Sequence, residues 1–286
     1  MNSIKVEKNN YLCGYNFSKK CDCVFSRGEP RQINGKTVYY IFCENNVDFI
    51  CDGDLVYCKI DNLPLMASLL SKTNKVVDII THDSDYEINE YVFSNLHTPN
   101  IRNWWGVNVN YSHPNLRSIP LGIGNPYVLE TPREEDFLSS IENSNDRKLL
   151  YINHRVETYP QERRQPYELF FTNEWATVEE PESKGNFRRY MKSLSDHKFM
   201  LCPRGNGIDT YRFWECLYMG VIPIVKKCIN VDFYADLPIL VIEDYSQINK
   251  KLLEEKYSEI ICKEWNPKKL TCDYWINRIK GNHDEN

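Results

Sequence analysis

The sequence predicts an α/β protein made of two units, each with a parallel sheet. Three observations carry that prediction. Short apolar or β-branched runs alternate with amphipathic segments along most of the chain. Residues 197–225, HKFMLCPRGNGIDTYRFWECLYMGVIPIV, read as strand, glycine turn, helix, glycine stop and strand. A polar run at 142–147, ENSNDR, separates two such series and is the best linker candidate. The expected domains are therefore residues 1–145 and 146–286, with the final helix packing back on the first.

In chain order, residues 1–36 are polar and turn-rich, which predicts loops and an edge hairpin turning at Asn34-Gly35. TVYYIFC (37–43) is β-branched and aromatic and predicts a strand. Strands are also expected at 55–60, 76–80, 101–109 and 116–121, and helices at 63–71 and 88–96. Pro132 followed by acidic residues predicts a surface helix start. A second series begins with a strand at 148–152. A helix through Leu169-Phe170 and an amphipathic helix at 186–195 lead into the 197–225 stretch. ILVI (239–242) predicts another strand, and helices are expected over 245–261 and 265–279.

A chain of 286 residues with 42% hydrophobic content can bury a substantial core. A net charge of -5 argues against a nucleic-acid binder that relies on a basic surface. The 11 cysteines are odd in number and show no repeated spacing, which disfavours a zinc or disulfide framework and fits a reducing compartment. The polar start MNSIKVEKNNYLCGYNF has no apolar signal core, and no run is long enough to span a bilayer. A cytoplasmic protein without a membrane span is expected.

The chemistry centres on the PRGNG turn. Gly205 and Gly207 permit backbone conformations that bring amides close to an anion. Arg204 and Arg212 can pair with phosphate oxygens, and Asp209 or Thr210 can cap the following helix. Glu215 lies one helical turn after Arg212, where a carboxylate can accept hydrogen bonds from both hydroxyls of a ribose. Together these residues suggest a nucleoside diphosphate. They also fit a structural turn with an Arg212–Glu215 surface pair, and the residues alone leave both readings open.

The run FMLCPRGNGIDTYRFWECLYMGVIPIV resembles the nucleotide-sugar-binding core of exostosin-like glycosyltransferases. In particular it is similar to the short, tail-less relatives found in large DNA viruses such as chloroviruses. The close resemblance covers about 30 residues, with a looser one from Lys148 onward; the N-terminal half matches no pattern of that family. It implies a GT-B architecture, two Rossmann-like domains with parallel sheets facing a cleft, the donor on the C-terminal domain and a base from the N-terminal one. Arg204, Gly205, Asn206 and Gly207 would then face the donor. Asp209, Thr210 and Arg212 would open the helix at the diphosphate, and Glu215 would hold the ribose. Arg155 and Arg163 lie in the first strand–loop–helix of that domain, where such enzymes place a diphosphate-binding arginine.

The function so implied is an inverting, metal-independent transfer of a sugar, xylose or a similar neutral one, from a UDP-sugar to a glycan or glycoprotein acceptor. No cofactor is expected beyond the nucleotide sugar as co-substrate. An inverting transfer needs a base. Asp83 or Asp85, at the carboxyl end of a predicted strand, is the expected base and His82 the rival; His113 and His154 stay open, while His197 reads as structural. Asp52-Gly53-Asp54 and Asp83-Ser84-Asp85 spell DxD, a metal-binding pattern, but lie outside the proposed donor loop. The alternatives are a catalytically inactive nucleotide-sugar-binding module and a GDP-sugar-dependent transferase on the same fold.

Overall fold

A computed structural model describes residues 1–25, 31–33, 36–38, 47–48, 50–128, 131–138, 146–181 and 187–281. The chain forms two compact units. One comprises Leu12–Leu121 and Cys272–Asn286, the other Met1–Tyr11 and Gly122–Thr271. The division falls at Leu121–Gly122, ahead of the polar 142–147 run. That run reflects local polarity, whereas unit membership reflects which apolar faces are buried together. Residues 142–145 of it lie outside the described residues.

The N-terminal unit opens with α1 (Gly14–Lys20) and β1 (Cys23–Phe25), where the sequence predicted loops. Gly14 and Asn16 are poor helix formers, and α1 is held instead by burial of Phe17 and by ion pairs across to the last helix, Lys20–Asp273 at 2.6 Å and Lys280–Asp22 at 2.9 Å. The strands β2 (Arg31–Ile33) and β3 (Lys36–Val38) pair antiparallel. The turn expected at Asn34-Gly35 and the rest of the strand expected at 37–43 lie outside the described residues. There follow β4 (Leu55–Lys59), α2 (Leu63–Leu70), β5 (Val77–His82), α3 (Glu90–Leu96), β6 (Ile101–Gly106) and β7 (Leu116–Ser118). The sheet order is β1-β4-β5-β6-β7, every pairing parallel and strictly in chain order.

The C-terminal unit contains α4 (Glu134–Leu138), β8 (Lys148–Ile152), α5 (Pro160–Phe170), β9 (Ala176–Val178), α6 (Phe187–Ser195), β10 (His197–Leu201), α7 (Tyr211–Tyr218) and β11 (Ile222–Lys226). It continues with α8 (Ile229–Asp232), β12 (Leu240–Ile242) and α9 (Lys250–Ile261). The segment expected as one helix over 265–279 is a 3-10 turn, Pro267–Leu270, followed by α10 (Cys272–Ile279), which belongs to the N-terminal unit. The sheet is parallel throughout, in the order β12-β11-β10-β8-β9. Read from the β9 edge, the strands run second, first, third, fourth, fifth. This is a doubly wound order, and its direction reverses between β8 and β10.

Strand residues of alternate parity meet on one face of this sheet. Leu150, Ile152, Phe199, Leu201, Ile222, Ile224, Leu240 and Ile242 form one core with Phe170 of α5 and Leu253 and Ile260 of α9. Residues of the other parity, Tyr151 and Met200, are buried as well, so both faces are covered, as a parallel sheet requires. Each fully buried aliphatic side chain contributes roughly 1.5–3 kcal/mol. Gly220 ends α7 with φ 64°, and a Cβ there would lie 2.5 Å from the Asn2 backbone. That glycine lets residues 1–11 lie against the C-terminal unit, where Ile4 N–H donates to Tyr218 O at 2.8 Å.

Candidate functional site

In a doubly wound sheet, ligands bind outside the carboxyl ends of the strands where the order reverses. Here that point lies between β8 and β10. Asn153-His154-Arg155 follows β8, and the PRGNG turn follows β10. Arg163 of α5 ties the two together. Its Nε donates to Arg204 O at 2.8 Å and its Nη1 to Arg155 O at 3.1 Å.

Arg163 is 4% exposed and faces no carboxylate among the described residues. Burial, then the nearby Arg212 charge, lowers its guanidinium to about 10, so it remains charged at neutral pH. A buried cation that hydrogen-bonds only to carbonyls and lies near a second cation is costly in isolation, and an anionic ligand would offset that cost. The Nε of Arg212 is likewise buried and has no hydrogen-bond partner among the described residues. Of the arginines in this region, Arg155 and Arg164 are exposed, and Arg163 is the one directed inward.

The PRGNG turn differs from expectation in one respect. The Gly205 amide donates to Gly207 O at 3.0 Å and so closes the turn instead of opening toward an anion. A Cβ on Gly205 would lie 2.9 Å from Arg163 Nη2, so glycine here lets the guanidinium rest against the turn. Asn206 is exposed. Arg204 lies over the Tyr159 ring at 4.7 Å and its Nη2 donates to Asn206 O at 3.1 Å.

Thr210 holds the N-cap position of α7 without a side-chain cap bond. Asp209 is buried and accepts from the Trp214 indole Nε1–H at 2.9 Å, which ties the turn to the helix interior. Glu215 points into the unit and is 2% exposed, which excludes the surface pair with Arg212. Burial raises its carboxyl to about 7, opposed by a hydrogen bond from Tyr190 and by the Arg212 charge, and reinforced by Asp136. The Tyr190 hydroxyl donates to Glu215 Oε2 at 2.5 Å. Sequence reasoning missed Tyr190 and Tyr159. With 19 tyrosines in the chain, no local signal marks these two.

His154 donates from Nε2 to Arg163 O at 2.9 Å, and its Nδ1 is buried without a partner. Burial lowers it to about 4, so it is neutral and braces Arg163. His197 Nδ1–H donates to Ser193 O and its Nε2 accepts from the Thr177 hydroxyl, a structural role.

In the N-terminal unit, His82 ends β5 and is 1% exposed. Its Nε2 donates to Pro120 O at 3.1 Å and its Nδ1 accepts from the Asp83 amide at 2.8 Å. Asp83 has φ 57°, and its Oδ2 accepts from the Tyr57 hydroxyl at 2.9 Å. Gly14 leaves the room its carboxylate occupies, since a Cβ there would lie 2.3 Å from Oδ1. Asp85 is exposed. His113 packs against Phe93 with ring centroids 4.4 Å apart. The other DxD triplet shapes a turn, with Asp52 accepting from Val76 N–H and Asp54 from Cys51 N–H. Among the described residues no group of three or more His, Cys, Asp or Glu is arranged to hold a metal ion, and no helix is long and apolar enough to cross a membrane.

Two parallel sheets, one of them in a doubly wound order, define a Rossmann-like α/β protein. The chain belongs to the RXYLT1 C-terminal domain family, whose model matches residues 130–280, just over half of its length. That match and the exostosin-like resemblance agree on the glycosyltransferase class. No curated protein sequence matches the chain. Among solved structures it is similar to the UDP-GlcNAc 2-epimerase from Methanocaldococcus jannaschii, with 11% identity, 80% of this chain and 77% of the other covered, and a TM-score of 0.37. It is also similar to a chain of the GtfA/B complex, with 11% identity, 82% of this chain and 55% of the other covered, and a TM-score of 0.36.

Proposed function

We propose that the protein is an inverting, metal-independent glycosyltransferase that moves a sugar from a UDP-sugar to a glycan acceptor. Xylose is the first sugar to test, because the matched family is xylosyltransferase-like. The observation that carries the reading is Arg163, a buried guanidinium without a carboxylate partner among the described residues, beside Arg212 where the strand order reverses. In this reading the two arginines hold the diphosphate and Glu215 accepts from the ribose hydroxyls. An acceptor hydroxyl attacks the anomeric carbon from the face opposite the diphosphate while a base takes its proton. The bond to the diphosphate breaks, and UDP leaves with the electron pair, its charge stabilised by the arginines.

Asp83 or Asp85 supplies the base in this proposal. His82, the rival, is less suited because both ring nitrogens are engaged. Eleven cysteines without a repeated spacing support a cytoplasmic setting, that of a host cell for a viral protein.

Arg212→Ala and Glu215→Ala are each expected to weaken UDP binding by about ten- to a hundredfold in calorimetry, with the fold retained. Unchanged affinity in both would remove the site. Transfer is expected to survive EDTA; a loss restored by Mn²⁺ would overturn the metal-independent mechanism. The engagement of the Asp83 carboxylate by the Tyr57 hydroxyl favours one second reading, a nucleotide-sugar-binding module without turnover. UDP binding with neither transfer nor hydrolysis, unaffected by changes at Asp83 and Asp85, would favour that module. Comparing the thermal shifts given by UDP and GDP separates the two nucleotide classes.

A further inference from the structure

The Glu215 carboxylate has one hydrogen-bond partner among the described residues, Tyr190. The two come from different elements, α7 and α6, and α6 packs on β10, the strand that leads into the PRGNG turn. A carboxylate on a helix can turn about its last torsion, and a single fixed oxygen removes that freedom. Tyr190 is itself placed by neighbours, with Met200 Sδ 3.9 Å from its hydroxyl and the Tyr151 and Tyr190 ring centroids 6.5 Å apart. We propose that Tyr190 is a positioning residue of the donor site: its hydroxyl holds Oε2 of Glu215, so that Oε1 is presented to the ribose hydroxyls of a nucleoside diphosphate.

This inference rests on the donor-site reading above and adds a residue to it. The charged and titratable groups facing Glu215 are Tyr190 from α6, Arg212 from its own helix and Asp136 from α4. Cys216, the next residue of α7, is a buried thiol within 3.7 Å of Cys202 Sγ. Burial and the adjacent carboxylate hold the Tyr190 phenol well above its ordinary range, so it donates at every pH at which the protein would be assayed. Its bond favours the ionised carboxylate, which is the form that accepts from hydroxyls.

The test is calorimetric binding of UDP and of pyrophosphate to the full chain, across pH 5.5–8.5, for wild type, Tyr190→Phe, Glu215→Gln and the double variant. Tyr190→Phe is expected to weaken UDP by about tenfold, to leave pyrophosphate unchanged, and to move the midpoint of UDP binding to higher pH. In the Glu215→Gln background it is expected to add little further loss, because the partner it positions is gone. Equal losses for UDP and pyrophosphate, or an unmoved pH midpoint, would overturn the positioning role while leaving the donor site standing. A wild type that binds neither ligand would overturn both.

Discussion

Replacing Arg163 with Met is expected to lower UDP affinity by at least about a hundredfold, the largest single-residue effect in this protein. The guanidinium is buried, so its attraction to a diphosphate is weakly screened, and losing a buried charged partner costs several kcal/mol. The substitution leaves the carbonyls of Arg204 and Arg155 without their donor, at about 1 kcal/mol each or more. It also removes a desolvated charge that has Arg212 beside it. These two effects oppose each other, so the melting temperature without ligand is expected to stay within a few degrees of wild type. The stabilisation by saturating UDP should disappear. A variant that melts normally and still gains the wild-type UDP shift would remove Arg163 from the site.

The second large effect is a pH dependence carried by Glu215. Its carboxyl rises from an ordinary 4.5 to about 7 in the folded protein, mainly through burial. A raised carboxyl favours folding while it is protonated. Its contribution is complete below about 4.5 and is lost as pH rises through about 7. The shift corresponds to about 3 kcal/mol, a large share of typical domain stability. His154 acts in the opposite sense. Lowered from 6.5 to about 4, it destabilises the fold as pH falls, and so masks much of the Glu215 effect between those values. The clean measurement is therefore a difference. Urea unfolding of Glu215→Gln against wild type should show the variant gaining about 3 kcal/mol relative to wild type from pH 4.5 to pH 8. A difference that does not change with pH would mean that Glu215 is not held in the buried, desolvated state.

These two effects expose a conflict within one residue. The ionised Glu215 that a ribose requires is the form that weakens the fold, and the Tyr190 bond limits that penalty. Buried groups that reduce stability until a ligand arrives are common at binding sites, and Arg163 and Glu215 both have this character.

Much of the fold is legible from local pattern. The apolar runs at 148–152, 199–202 and 221–225 mark β8, β10 and β11 because a short, nearly continuous apolar run between turn residues is a local signal of a buried strand. Gly220 reads as a helix stop and is one, with positive φ. The segments that local reading missed, α1, β1 and β9, are three to seven residues long and carry weak propensity. Burial against neighbours holds α1 and β1, as Phe17 and Phe25 show, and pairing with β8 holds β9. The PRGNG turn was legible as a glycine loop before a helix, but its Gly205 amide turned out to serve the turn itself.

By itself the sequence determined the strand–turn–helix units, the polar and acidic character of the chain, and the residue types available at the turn after β10. Tertiary structure decided the rest. The reversal between β8 and β10 depends on which strands pair, and strand pairing joins residues far apart in sequence. That pairing selected Arg163 over Arg155 and Arg164, because only its side chain is buried against the turn after β10. It also turned Glu215 inward to meet Tyr190, 25 residues away, a contact that no spacing rule within one helix could reveal.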